Sequence, residues 1–144
     1  MTKQLWTVDI VDWETNHLVL TDLRTQVFIV EQDVPEEEEL DGLDPGAFHF
    51  IARDAEGKAG GTARLLPSGQ VGRMAVLSPY RQCGIGSALL RYIIDWHRDR
   101  ALPPLFLHAQ THAIPFYQKL GFQARGPEFL DAGIPHREMV MDHD

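Results

Sequence analysis

A chain of 144 residues suits one domain around one core, and 44% apolar with 24% charged residues is the make-up of an ordinary soluble globular protein. A net charge of −8 argues against a general nucleic-acid binder, and no apolar run approaches the roughly 20 residues that a bilayer span needs. A single cysteine excludes an internal disulfide and MTKQLWTVDIVDW lacks a leader's apolar stretch, so a reducing, cytoplasmic setting is expected.

The alternation in residues 5–13 predicts a strand. From residue 14 to 32, Leu18, Leu20, Leu23, Val27, Phe28 and Val30 recur at helical spacing, with Thr15 or Asn16 as the cap. Residues 31–46, EQDVPEEEELDGLDPG, form an acidic connection broken by proline and glycine. Residues 47–54, 59–67 and 70–77 read as three strands, the last two a hairpin through Ser68 and Gly69. A helix is expected over 84–98, burying Ile85, Leu89, Leu90, Ile93, Ile94 and Trp96. Residues 104–110 predict a short buried strand. A short helix then ends at Gly121, with Pro115 tolerable in its first turn. FQARG and residues 134–141 close the chain as strands. The whole is a mixed α/β (α+β) domain over residues 1–144, antiparallel early, with a strand-helix-strand crossover late.

Charge is uneven along the chain. Residues 1–57 hold 14 acids against 3 bases, and residues 58–144 hold 7 acids against 10 bases. The second half can therefore hold an anion. The first half can attract a cation, although an acidic run such as 36–39 with Asp41 and Asp44 is most often a solvated loop.

RQCGIG (residues 81–86) sits where a strand gives way to a helix. A helix N-terminus offers unpaired amides and the positive end of its dipole, glycines let that backbone approach a ligand, and Arg81 adds a forked cation suited to phosphate oxygens. No lysine follows, so this is not a P-loop. Leu89 stands where a dinucleotide fingerprint needs its third glycine.

Arg-x-x-Gly-x-Gly after MAVLSPY resembles the acetyl-CoA pyrophosphate loop of the GNAT superfamily of N-acetyltransferases, and AIPFYQKLGF (113–122) resembles its later motif. The element order agrees. RTQVFIVEQDVPEEEELDGLD, LHAQ and GIPHREM are similar to the ElaA and YjcF-like branch. The resemblance implies a central, mostly antiparallel mixed sheet flanked by helices, and an acetyl-CoA-dependent N-acetyltransferase acting by direct transfer in a ternary complex. The acceptor would be a small-molecule primary amine, or a peptide. No metal, nucleic acid or membrane is implied, and homodimers are common in the family.

Carried over residue by residue, the resemblance gives the backbone of Met74, Ala75 and Val76 to the pantetheine arm. The amides of Gln82, Cys83, Gly84, Ile85, Gly86 and Ser87, with Arg81, take the pyrophosphate. Gln110 replaces the asparagine that many members place on the cofactor arm. Tyr117 matches the tyrosine that protonates the departing thiolate. Cys83 has no assigned base partner, so a nucleophilic role is not expected. The strand glutamate that some members use as a base has no counterpart in VGRMAV. Glu31 is the first candidate base, directly or through water, with His108 and His112 as rivals and His136 in the acceptor pocket. A non-catalytic acyl-CoA-binding module is the alternative function.

Overall fold

The computed structural model describes residues 5–141. Residues 1–4, which open the stretch read for a leader, and 142–144 lie outside the described residues. β1 (Thr7–Val11) leads into α1 (Trp13–Arg24). The cap of α1 is Asp12, not Thr15 or Asn16: its carboxylate accepts from the Thr15 amide at 2.8 Å, the standard reach of an N-cap side chain. The predicted helix runs its full length, but from Thr25 to Glu31 it widens into π-helical turns. Leu20, Leu23 and Val27 are buried as the periodicity requires, whereas Leu18 and Val30 are 76% and 70% exposed. The wider turn shifts the phase of the positions beyond Arg24, which accounts for Val30.

The acidic connection holds the short α2 (Glu36–Glu39) and a single 3₁₀ turn at Asp44–Gly46. β2 (Phe48–Arg53), β3 (Ala59–Leu65) and β4 (Gln70–Val76) follow as an antiparallel meander. α3 (Ile85–Arg98) crosses over to β5 (Phe106–Gln110), then come α4 (Ile114–Lys119), β6 (Phe122–Asp131) and β7 (Ile134–Met141). All seven strands form one sheet in the order β1-β2-β3-β4-β5-β7-β6. Among the described residues only the β4–β5 pair is parallel, as a crossover helix demands. No helix among the described residues is long and apolar enough to cross a membrane.

α3 lays Ile85, Leu89, Leu90 and Ile93 on Phe50, Ala63 and Leu65. Gly61 makes that approach feasible, since a Cβ there would lie 2.7 Å from Ile85 Cγ2. Ile94 and Trp96 are only half-buried. His97 is buried in their place, its Nε2 2.8 Å from the Pro103 carbonyl. β6 outruns the predicted FQARG because Gly126 and Pro127 read as a strand end. They instead sit at an irregularity between Arg125 and Phe129 on the sheet's edge, where a proline breaks no ladder.

Candidate active site

The site begins as a failure of pairing. β4 and β5 match only at Gln70↔Phe106 and Val71↔Leu107. Beyond that point β5 keeps β7, but β4 from residue 72 to 76 has no strand partner on its β5 side. A bulge opposite Thr62 to Arg64 accompanies the split, with Arg73 at φ +46°. The two strands diverge like the arms of a V, leaving the β4 backbone at Met74, Ala75 and Val76 beside the gap. A cavity of about 330 Å³ occupies the splay. β4 supplies Met74 to its wall and β5 supplies His108 and Gln110, while Tyr117 and His136 also face it.

The glycine turn follows β4, with Gly86 close to the Met74 side chain. Gln82 and Gly84 take left-handed φ values of +64° and +84°, and α3 starts at Gly84 without any side-chain cap. The amides of its first turn, over Ile85, Gly86 and Ser87, thus stand at an uncapped, dipole-positive end. A Cβ on Gly86 would be 3.4 Å from Phe116, so the turn also packs on α4. Cys83 is exposed, its Sγ 3.7 Å from the Arg81 carbonyl. Arg81 does not reach outward from this turn. Its Nε donates to the Val76 carbonyl at 3.0 Å and its Nη2 to Glu31 Oε1 at 2.8 Å.

Three residues expected from sequence to act at different points are thereby joined: Arg81, Val76 and Glu31. Glu31 is not part of the cavity wall, whereas Tyr117 and Gln110 are. Tyr117 lies edge-on to Phe116 and Phe122, with ring centroids 5.1 and 6.2 Å away, and burial pushes its phenol up to about 12. Gln110 Oε1 is 2.7 Å from His112 Nε2, which points His112 at the amide rather than at the cavity. His108 lies 3.9 Å from Glu138, whose carboxylate also accepts from Arg125 at 2.8 Å.

The acidic connection departs in part from both readings of it. Arg24 donates to Glu39 through Nε, and to Asp44 at 2.8 and 3.1 Å. Arg64 forks onto Asp41 at 3.0 and 2.8 Å and reaches Asp44 at 3.1 Å. Arg73 donates to the Glu39 carbonyl at 3.1 Å and to Asp41 at 3.2 Å. Arg24, Glu39, Asp44 and Arg64 are all less than 5% exposed. Glu36 and Glu37 are exposed, as a solvated loop requires, but Glu39 and Asp44 are not a solvated face, and with Asp41 they are no lure for a cationic amine, because their charge is already matched. Burial alone would lower Arg24, but the bonds from Asp44 and Glu39 outweigh it and hold the guanidinium above its ordinary value. Asp44 is pushed up by burial and pulled further down by Arg24 and Arg64, ending below the usual carboxylate range. The Arg64 hydrogen bonds are the main reason that Asp41 is held at about 2. A sequence signal existed: Arg64 and Arg73 each interrupt an apolar strand, and buried arginines call for carboxylate partners.

A family model described as an acetyltransferase (GNAT) domain matches residues 16–143. The chain belongs to the GNAT acetyltransferase family. It is thus an N-acetyltransferase, built on a fold that uses acyl-CoA. A Bacillus subtilis (strain 168) protein named uncharacterized N-acetyltransferase YjcF is 38% identical over 123 residues, spanning 83% of this chain and 88% of that protein. The crystal structure of an acyl-CoA N-acyltransferase from Pseudomonas aeruginosa is 32% identical with a TM-score of 0.78, covering 96% of this chain and 99% of that one. Escherichia coli ElaA reaches a TM-score of 0.84 at 24% identity over 96% and 100% of the two chains, a likeness of fold. At the V-shaped splay and the uncapped glycine turn, the residues present suit the arm and phosphates of an acyl-CoA. A free strand edge offers backbone groups to an amide-bearing arm, and the turn offers amides to phosphate oxygens.

Proposed function

We propose that this enzyme moves the acetyl group of acetyl-CoA directly to a primary amine of a small molecule, with a peptide amine as the variant acceptor. One domain over residues 1–144 would carry the reaction, in a ternary complex. The observation that carries this reading is the cavity at the β4–β5 split, bounded by a β4 edge without a strand partner and faced by a half-buried tyrosine. The β4 backbone at Met74, Ala75 and Val76 aligns the pantetheine arm, and Gln110 bonds it from the other side. The amides of residues 82–87 wrap the pyrophosphate, joined by Arg81 once it lets go of Glu31.

Attack of the amine on the thioester carbonyl forms the C–N bond, and collapse breaks the C–S bond. Tyr117 faces the departing sulfur. A phenol at about 12 keeps its proton at any working pH, so the donor is always armed. Full transfer to a thiolate, whose thiol titrates near 8.5, would be uphill by roughly 5 kcal/mol. Tyr117 therefore acts chiefly as a hydrogen-bond donor to the developing charge, and the departing thiolate takes its proton from solvent. Glu31 as base requires its release from Arg81 and access to the amine, directly or through water.

The test is a thiol-release assay with acetyl-CoA across a panel of small amines and short peptides, comparing wild type with Tyr117→Phe. Amine-dependent release that collapses in the variant, while acetyl-CoA still raises the melting temperature of both proteins, is the expected result. Tight acetyl-CoA binding without release for any amine would sink the reading in favour of a cofactor-binding module.

A further inference from the structure

Three imidazoles stand near the splay, and their surroundings differ. His112 is exposed and turned onto Gln110. His108 is about one-third exposed, edge-on to Phe129, with Glu138 beside it. His136 is only 8% exposed, yet it faces the cavity. It lies directly across the β5–β7 pair from Gln110 and across the β6–β7 pair from Phe129, on whose ring it stacks at 5.9 Å and 23°. Its Nδ1 is 2.6 Å from the Ile134 carbonyl.

That last contact decides the tautomer. A carbonyl oxygen only accepts, so Nδ1 must carry the hydrogen. In the neutral ring the lone pair is then on Nε2, and no described residue bonds to that nitrogen. The ring is fixed by a hydrogen bond on one side and an aromatic face on the other. Such a group is built to receive a proton from whatever enters the cavity. Glu31, by contrast, is outside the wall and already bonded to a cation.

We propose that His136 is the general base, taking the proton of the attacking amine at Nε2. The assignment rests on the acetyl-transfer reading above. As the C–N bond forms, Nε2 receives the proton from the amine nitrogen. The C–S bond breaks, the sulfur leaves as a thiolate held by the Tyr117 hydroxyl hydrogen bond, and it then takes one proton from solvent. The imidazolium then returns its proton to solvent, so one proton leaves the nitrogen and one reaches the sulfur. The other titratable groups around this ring are His108 from β5, Arg73 from β4, Tyr117 from α4, Asp131 at the end of β6, and Glu138 with its Arg125 partner farther along the strands. Arg73, Glu138 and Arg125 already have opposite charges beside them.

His136→Asn is the informative variant, because an asparagine amide keeps the bond to the Ile134 carbonyl and lacks the second ring nitrogen. With an accepted amine, kcat/KM should fall about 10²-fold, the usual worth of a positioned base, and the acidic limb of its pH profile should vanish, while the Kd for acetyl-CoA stays within about twofold. His108→Asn and Glu31→Gln should keep that limb. Wild-type turnover with an unchanged limb in His136→Asn overturns this assignment alone, whereas absence of wild-type turnover with every amine overturns the acetyl-transfer reading and the assignment with it. Should the variant fold poorly, ¹⁵N–¹H spectra of the wild-type imidazoles at pH 8 decide instead. An Nδ1–H tautomer at His136 is expected, and an Nε2–H tautomer overturns the proposal.

Discussion

The two arms of the splay are built from opposite materials. The β4 arm carries Arg73, which lines the cavity, and Arg73 interlocks with Arg24, Arg64, Glu39, Asp41 and Asp44, so that strand is tied into formal charges that satisfy one another. The arm of β5 and β7 presents His108, Gln110 and His136 to the cavity, groups that offer ring nitrogens and an amide. Where charge is dense it is closed on itself and serves architecture. Where chemistry is to be done, the side chains hold a lone pair or a hydrogen bond in reserve. The acidic excess of the first half of the chain is thus a poor guide to what the site attracts.

The sharpest way to break this contrast is to remove an ion from the first arm. Arg24→Ala leaves Glu39 and Asp44 buried beside too little positive charge, and an unpaired buried ion costs about 3–5 kcal/mol. Urea unfolding should register that loss. His108→Asn on the other arm should cost less than about 1 kcal/mol. Equal losses on both arms would dissolve the distinction.

Next in size, Tyr117→Phe should lower kcat about 10²-fold and leave the unfolding free energy within about 1 kcal/mol of wild type. Stopped-flow thiol release read beside thermal unfolding checks both halves. A variant that loses stability in step with activity would make Tyr117 a packing residue next to Phe116 and Phe122.

How these arms arose from sequence is instructive. The order of strands and helices was legible because strand alternation, the α3 apolar face and the Gly121 stop are local signals. The split itself was not, since it is the absence of pairing between two strands that each look ordinary. Resemblance alone pointed to the backbone of Met74, Ala75 and Val76. The Arg24–Arg64–Arg73 network was hidden because its members lie far apart in sequence, and acids in a run look solvated until the fold reveals their partners. The same non-locality concealed the contact of Arg81 with Glu31. The pinning of His136 by the Ile134 carbonyl spans only two residues, but it depends on a side-chain rotamer that the residue types do not specify.

Arg81 bridges the contrast, since it belongs to the cofactor turn yet makes an architectural contact. If it takes up phosphate oxygens, Arg81→Ala should weaken acetyl-CoA binding about tenfold, or 1.4 kcal/mol, with a shallower salt dependence. Glu31→Gln should do the reverse, tightening binding a few-fold by freeing the guanidinium. Calorimetric titration at two salt concentrations measures both. No change in either variant would leave Arg81 as a tie between the π-helical turn and β4.

The smallest effect belongs to Asp41, and its sign can be worked out. Arg64 holds its carboxyl at about 2 in the folded protein, against an ordinary 3.8. Between these values the unfolded chain binds the proton that the folded one refuses. Asp41 therefore contributes stability that is fully present above about pH 4 and lost as pH falls through about 2. The full shift corresponds to roughly 2.5 kcal/mol, and solvent access to this side chain brings it to about 1. Asp41→Asn should then lie below wild type in melting temperature at pH 6, converge toward it near pH 2, and keep the part of the acid slope that Asp44 supplies. A variant curve parallel to wild type across that range would mean that Asp41 is already screened by solvent. The closed ion network would then shrink to Arg24, Glu39, Asp44 and the one Arg64 bond to Asp44.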